Sequence, residues 1–134
     1  MTISVLSPFK DEYDDFNLYS IMMKVSFGDF SIMLTGDAEK ENEAAVLDYY
    51  PAAMLDCDVL KAGHHGSSTS TSKEFFDAVS PEAVLISVGE GNDYGHPHAE
   101  TLETIKNTKV YRTDLDGDIS LVTDGQTYQI TTGK

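Results

Sequence analysis

The apolar residues of this chain fall in short runs, and the spacing within the runs changes between that of a strand and that of a helix. Alternating or continuous apolar runs bounded by Gly, Asp or Pro predict strands. The predicted strands span residues 2–6, 19–27, 30–34, 57–61, 83–88, 109–113, 119–123 and 127–131. Three segments with helical spacing predict helices over residues 38–50, 71–80 and 97–106, each with a proline at or near one end.

The order of these elements predicts a layered α/β fold. Gly28-Asp29 lies between two strands and predicts a hairpin, and Asp116-Gly117 and Asp124-Gly125 punctuate the two closing strands. Between hairpin and closing strands, helices and strands alternate, which favours a mixed sheet with helices on one face. We expect residues Ala44 to Leu47 to form the inner face of the first helix.

Charge and composition narrow the class of protein. The 134 residues contain 23 acidic and 9 basic side chains, and the net charge of -14 repels nucleic acid unless metal or a local basic patch offsets it. No apolar run reaches membrane-spanning length, and we find no signal-peptide pattern at the N-terminus. The single cysteine, Cys57, excludes an internal disulfide and is expected to be a small core residue.

All four histidines lie between His64 and His98, and they follow apolar runs. The pair His64-His65 is flanked by glycines and predicts a metal ligand beside a group that orients phosphate or acts as an acid, although a chance surface pair is the alternative. Asp37 follows an earlier run and is interpreted either as a helix N-cap or as a metal ligand. Rigid strand ends with open loops beyond them suit a hydrolytic metal site.

Two further loops invite a functional interpretation. His96 stands just ahead of a predicted helix, where backbone N–H groups favour an anion, and the alternative is a helix-entry loop with incidental histidines. The hydroxyl-rich stretch 67–70 is expected to form a turn rather than a phosphate contact. The segment from Asp114 to Asp118 lacks the later glutamate of a calcium loop, so it predicts a hairpin turn.

Taken together, these segments resemble the metallo-β-lactamase-like domain of ComEC-type competence proteins and of related free-standing metallo-hydrolases. The resemblance runs from about Asn17 to Thr131. The matching motifs, in order, are Thr35-Gly36-Asp37-Ala38-Glu39, Leu60-Lys61-Ala62-Gly63-His64-His65-Gly66-Ser67, Ile86-Ser87-Val88-Gly89 through Asn92-x-Tyr94-Gly95-His96-Pro97, and Tyr111-Arg112-Thr113-Asp114 with Asp116-Gly117.

The resemblance implies half of an αββα sandwich with a one- or two-metal site at the sheet edges. Asp37 matches the bridging aspartate, and His64 or His65 matches the late histidine ligand. The superfamily's main signature, His-x-His-x-Asp-His, belongs to the N-terminal half and is absent here, so residues 1–134 are interpreted as a single partial domain. One carboxylate and one imidazole cannot hold a tetrahedral or two-metal site at ordinary strength.

The resulting expectation is a fragment of a metal-dependent hydrolase. In the intact protein, zinc or manganese held through Asp37, His64 and His65 would activate water against a phosphodiester, with His65 and His96 as catalytic groups. The substrate would be the DNA strand degraded during uptake, outside the cytoplasmic membrane. The alternatives are a free-standing, cytoplasmic hydrolase of small phosphate or acyl esters, and a catalytically inert scaffold or binding half-domain.

The expected partners follow from the absence of the N-terminal half of the domain. The N-terminal half of the domain is the expected partner, and DNA is a possible one in the intact parent. Alternation in residues 21–27, with Ile32 and Leu34 on the paired strand, predicts an apolar sheet face of roughly several hundred Å², more than a monomer usually exposes. The isolated chain is therefore expected to form a homo-oligomer.

Overall fold

A computed structural model describes residues 1–134 and contains one six-stranded sheet, one two-stranded sheet and five helices. The strands are β1 (Thr2–Ser7), β2 (Met22–Phe27), β3 (Phe30–Leu34), β4 (Val59–Lys61), β5 (Ala83–Ile86), β6 (Lys109–Arg112), β7 (Ile119–Thr123) and β8 (Tyr128–Thr132). The helices are α1 (Lys40–Tyr49), α2 (Ala52–Leu55), α3 (Lys73–Val79), α4 (Ala99–Ile105) and α5 (Thr113–Asp116), with short 3-10 turns at Phe16–Tyr19 and Gly63–Gly66. No helix is long and apolar enough to cross a bilayer.

The large sheet is mixed, as the alternation of elements predicts. Its strands lie in chain order from β1 to β6. The first three strands pair antiparallel, and β3 to β6 pair parallel. Each parallel connection carries at least one helix, which satisfies the need for a crossover between parallel neighbours. The predicted layered α/β fold class is confirmed.

The helices pack on one face of this sheet. Met33, Leu60 and Val84 stand side by side on adjacent strands and are fully buried. Val46 of α1 and Phe75 of α3 belong to the same buried cluster. Because neighbouring residues of a strand point to opposite faces, the residues before and after these three define the other face of the sheet.

That second face is only partly covered. The β7–β8 hairpin lies over Phe30, Val59 and Ala83, and the ring of Tyr128 packs on Phe30 with 5.2 Å between centroids. The hairpin does not extend over β1. Ile3, paired with Val25, is 53% exposed.

The open part of this face is apolar. Val5, Met23 and Leu34 are aligned across β1, β2 and β3, as are Ile3, Val25 and Ile32. Val5 is 60% exposed and Phe27 is 44% exposed. The apolar face predicted from the alternation in β2 and β3 is therefore present, and β1 extends it.

Helix α1 differs from its prediction. It begins at Lys40 rather than at Ala38, and its buried residues are Asn42, Glu43 and Val46, while Ala44 is exposed. The predicted inner face was thus wrong for Ala44, because this helix turns two polar side chains inward. Glu43 is buried to 1% exposure and its carboxylate accepts hydrogen bonds from the backbone N–H groups of Thr71 and Ser72. Burial raises the pKa of the Glu43 carboxyl, and these hydrogen bonds oppose the shift.

Other boundaries differ for local reasons. The strand predicted from residue 19 begins at Met22, because Asp15 accepts a hydrogen bond from Asn17 N and starts a 3-10 turn. The strand predicted from residue 57 begins at Val59, with Cys57 buried in the core as expected. The helix predicted from residue 71 begins at Lys73, because Ser72 is its N-cap, and the helix predicted from residue 97 begins at Ala99.

The hairpin turn predicted at Asp114 to Asp118 was wrong. The segment forms the helical turn α5, and β6 and β7 belong to different sheets. Asp114 pairs with the Arg112 guanidinium, which lowers the pKa of the Asp114 carboxyl, and Asp116 accepts from Arg112 N at 2.7 Å. These carboxylates end the large sheet at β6 and redirect the chain toward the hairpin.

The open apolar face predicts self-association of the isolated chain. Val5→Lys would place a charge in the open apolar face and should weaken dimerisation by about tenfold or more, because burying an unpaired charge costs more than the ~1.4 kcal/mol that corresponds to a tenfold change in affinity. Sedimentation analysis at micromolar concentration measures this. Val122→Lys is the matched control, because Val122 is 69% exposed on the hairpin. A monomeric wild-type chain, or equal weakening by both variants, would contradict the prediction.

Candidate active site

The predicted site residues meet at one edge of the large sheet. Strands β3, β4 and β5 are parallel, so their carboxyl ends lie together. Asp37 follows β3, the pair His64-His65 follows β4, and His96 lies in the loop after β5. The His64 and His96 rings are 5.7 Å apart, and the His65 and His96 rings are 6.4 Å apart, centroid to centroid.

Asp37 is free to bind a ligand because another residue caps the following helix. The N-cap of α1 is Glu39, whose backbone N–H donates to Asn42 Oδ1 at 3.1 Å. The interpretation of Asp37 as a helix cap was therefore wrong. Its side chain is 42% exposed at the edge of the sheet.

The two adjacent histidines occupy a strained turn. His64 has φ 49° and His65 has φ 57°, which is the left-handed region. For residues other than glycine such conformations cost of order 1–3 kcal/mol each, and they persist only where the surroundings impose them. The next residue, Gly66, has φ +83°, and a Cβ there would lie 2.6 Å from Pro97 Cβ. The glycine beside the histidines thus lets the two loops approach each other.

His65 is oriented by a hydrogen bond to the neighbouring strand end. Its Nδ1 lies 2.7 Å from the carbonyl oxygen of Ser87. A carbonyl oxygen can only accept, so Nδ1 carries the proton. In the neutral ring Nε2 then presents its lone pair, and this atom lies 3.7 Å from Asp37 Oδ1. A lone pair and a carboxylate oxygen face one another, an arrangement that a cation between them would stabilise.

The Nδ1 atom of His64 faces residues other than Asp37. This atom lies 3.4 Å from Thr69 Oγ1 and 4.0 Å from Glu39 Oε1. Nowhere in residues 1–134 do three or more His, Cys, Asp or Glu side chains stand close enough to hold a metal ion together. The structure thus brings Asp37 and His65 together as a pair of donors and places His64 beside them.

His96 is carried by a loop that Asn92 organises. The Asn92 amide donates to the carbonyls of Gly89 and His96, and its Oδ1 accepts from the backbone N–H groups of Tyr94 and His96. Burial, followed by the neighbouring histidines, lowers the pKa of His96. A neutral imidazole at this position is suited to hydrogen bonding rather than to carrying a fixed positive charge.

His98, for which the sequence predicted no role, joins the two histidine loops. Its Nδ1 accepts from Ser68 N at 2.9 Å, so the proton lies on Nε2, which is 3.1 Å from the carbonyl oxygen of Tyr94. The backbone N–H of His98 donates to the carbonyl oxygen of Gly66 at 3.0 Å. Spacing alone could not separate the roles of His96 and His98, because both belong to one His-Pro-His run.

Lys61 was also overlooked, since it reads as the polar end of an apolar strand. Its alternation with Leu60 places it on the open face of the sheet, where its Nζ donates to Ala62 O at 3.0 Å. Burial lowers the pKa of the Lys61 amine, and the nearby Asp37 carboxylate opposes this. Lys61 therefore supplies a partly buried cation next to the candidate site.

Comparison with known proteins supports part of the resemblance. No family model matches the chain. It is 40% identical over 117 residues, 86% of its length, to "ComE operon protein 3" of Bacillus subtilis. It is 35% identical over 117 residues, again 86% of its length, to "Recombination protein 2" of Haemophilus influenzae, and 36% identical over 114 residues, 84% of its length, to "Competence protein ComA" of Neisseria gonorrhoeae.

The chain resembles competence proteins. These relatives support a competence-protein family and thereby the competence part of the resemblance. The chain spans only 15%, 14% and 16% of their respective lengths, which is consistent with the interpretation as a fragment.

Opposite tautomers are expected for two of the histidines. Above the titration range of the imidazoles, long-range ¹H–¹⁵N spectra should show His65 protonated on Nδ1 and His98 protonated on Nε2, because each ring faces a partner of fixed polarity. Single His→Gln variants assign the signals, and His98 serves as the internal reference. A His65 ring protonated on Nε2 would contradict the geometry described here.

Proposed function

We propose that this chain is the C-terminal half of a metallo-β-lactamase-like hydrolase that cleaves phosphodiesters of a DNA strand during uptake. The observation that carries the proposal is the pairing of Asp37 Oδ1 with His65 Nε2 at 3.7 Å, with the far nitrogen of that ring held by the Ser87 carbonyl. Histidines that bind metals usually donate their other N–H to a carbonyl or carboxylate, which fixes the ring and the tautomer.

The donor set fits part of a metal site. Carboxylate oxygen and imidazole nitrogen are ligands that zinc and manganese accept, and two ligands at about 2.0–2.2 Å from one ion stand a little over 3 Å apart. The Asp37–His65 separation is close to that spacing. Of the two candidates in the histidine pair, the geometry favours His65 as the ligand. Asp37 would be the second ligand and could bridge two ions.

The remaining ligands must come from outside these residues, because no third donor joins Asp37 and His65. We assign them to an N-terminal half carrying His-x-His-x-Asp-His. The open apolar face of β1 to β3 is where a second sheet would complete the sandwich. Zinc or manganese bound between the halves would lower the pKa of a coordinated water toward ~7 and polarise the scissile group.

This chain's own histidines would handle the substrate. His64 lies beside the pair, between Thr69 and His96, and is placed to contact a phosphate oxygen. His96, with its lowered pKa, is neutral at physiological pH and would accept or donate a hydrogen bond on the substrate side. Because a neutral imidazole is a weak proton donor to a leaving group, we assign His96 a contact role and assign proton transfer to water.

DNA as the substrate is favoured by the competence relatives, and the active site would then lie outside the cytoplasmic membrane. The net charge of -14 favours a second candidate, a hydrolase of small phosphate or acyl esters in the cytoplasm. Metal ions bound at the site would offset this charge locally together with the Lys61 ammonium, and we therefore retain the phosphodiester of DNA as the proposed substrate.

Turnover by the joined protein tests the proposed function. The isolated chain should not cleave single-stranded DNA, whereas the longer protein with the N-terminal half should cleave it in a metal-dependent manner. In the longer protein Asp37→Ala should reduce the rate by at least about a thousandfold, while His96→Ala should cost less than about a hundredfold.

The control is Asp29→Ala, which removes an exposed carboxylate at the opposite end of β3 and should leave the rate unchanged. If Asp37→Ala retained metal-dependent cleavage, the proposed site would be wrong. Equal losses in the Asp37 and His96 variants would contradict only the contact role of His96.

A further inference from the structure

Tyr94 is an exposed aromatic side chain on a rigid part of the site. Tyr94 is 77% exposed, but its backbone is held at both ends. Its N–H donates to Asn92 Oδ1 at 3.2 Å, and its carbonyl oxygen accepts from His98 Nε2 at 3.1 Å. The ring lies on His96 with 5.6 Å between centroids and 23° between planes. Packing of the core does not explain this ring, because its exposed surface faces the solvent beside the site.

The ring borders a pocket next to the candidate catalytic groups. The pocket has a volume of about 210 Å³ and is lined by His65, Val88, Gly89, Asn92, Tyr94 and His96. The His96 ring is nearly parallel to both neighbouring rings of the wall, at 19° to His65 and 23° to Tyr94. Gly89 has no neighbouring atom within 4 Å of where a Cβ would stand, and this leaves the entrance open.

The charges around this pocket favour an uncharged group. No lysine or arginine lines it, and the exposed acids Glu90 and Asp93 belong to the same loop. A phosphate would be repelled here, whereas Asp37, which pairs with His65 and is close enough to Lys61 to affect the pKa of its amine, does not line the pocket. The pocket therefore suits a planar, neutral ring attached to a phosphate that binds at the site itself.

We propose that the Tyr94 pocket binds a nucleobase adjacent to the phosphodiester that is cleaved, an inference that rests on the proposed function and names the substrate as a nucleotide strand. The base stacks on Tyr94 and is flanked by Val88 and by the edge of His96. Stacking accepts every base, because each has a π-face, so the pocket positions a strand without reading its sequence.

Binding to the 134-residue chain tests the nucleobase pocket without requiring turnover. The probes are thymidine 5′-monophosphate, a short oligothymidylate, and a phosphate-matched abasic oligonucleotide, followed through the ring signals of Tyr94 and His96 by NMR. Both base-bearing probes should shift these signals, and the abasic strand should not. Tighter binding of the oligothymidylate than of the mononucleotide would identify a strand as the source, and equal binding would identify a free nucleotide.

Substitutions of Tyr94 distinguish the loss of base stacking from a general disturbance of the fold. Tyr94→Ala should weaken thymidylate binding by about fivefold or more, the lower end expected for loss of one base–aromatic stack, and Tyr94→Phe should retain it. The matched control is Tyr49→Ala, because Tyr49 is 70% exposed and packs on Phe9 and Tyr50, away from the site. Equal shifts with the abasic strand, or unchanged affinity in Tyr94→Ala, would overturn the proposal.

Failure of this inference is distinguishable from failure of the proposed function. In the joined protein, equal cleavage of base-bearing and abasic strands would support the proposed hydrolase activity and contradict the nucleobase pocket. Base binding without any metal-dependent cleavage would support the nucleobase pocket and contradict the proposed hydrolase activity.

Discussion

The hydrogen bond from His65 Nδ1 to the Ser87 carbonyl is the contact that turns a pair of adjacent histidines into a directed chemical group. It joins the ends of β4 and β5 and points the Nε2 lone pair at Asp37, beyond the end of β3. The three strands can meet in this way only because they are parallel neighbours with their carboxyl ends at one edge. The strained turn at His64 and His65 is held by this contact and by the close approach of Gly66 to Pro97.

A second constraint comes from the two faces of the sheet. The helix face is filled by a continuous buried cluster, so the chain has a core of its own. The opposite face is covered by a hairpin at β3 to β6 and is open and apolar at β1 and β2. The chain therefore has an incomplete set of metal donors beyond the ends of β3 and β4 and an uncovered apolar surface on β1 and β2. One additional sheet that supplied donors and covered this surface would account for both features.

The elements that could be predicted from sequence are those with a strong local signal. The β2–β3 hairpin, the strands after residue 80 and the helices before Pro51 and Pro81 follow from periodicity and breaker residues, and the layered α/β arrangement follows from their order. The inner face of α1 could not be predicted in this way. The buried Glu43 carboxylate accepts hydrogen bonds from two backbone N–H groups, and these belong to a loop that is distant in sequence. The helical turn at Asp114 to Asp116 depends instead on a local contact, because both carboxylates accept hydrogen bonds from Arg112, and an Asp-Gly pattern does not reveal that choice over a hairpin turn.

The candidate site shows the same division. Sequence identified Asp37, His64, His65 and His96, because histidines and a carboxylate after apolar runs are unusual. It could not rank His64 against His65, since the ranking depends on the Ser87 carbonyl, and it could not separate His98, whose partners are backbone atoms of two loops. Tyr94 and Lys61 carried no signal of their own, because an exposed tyrosine and a lysine at a strand end are common in any sequence.

Metal titration of the chelator-treated chain tests the central claim, that these residues hold two donors of a larger site. We expect dissociation constants for zinc or manganese of about micromolar or weaker in the isolated chain, further weakening in Asp37→Asn, and binding tighter by several orders of magnitude once the N-terminal half is joined. A stoichiometric site of about nanomolar affinity built from residues 1–134 alone would contradict it.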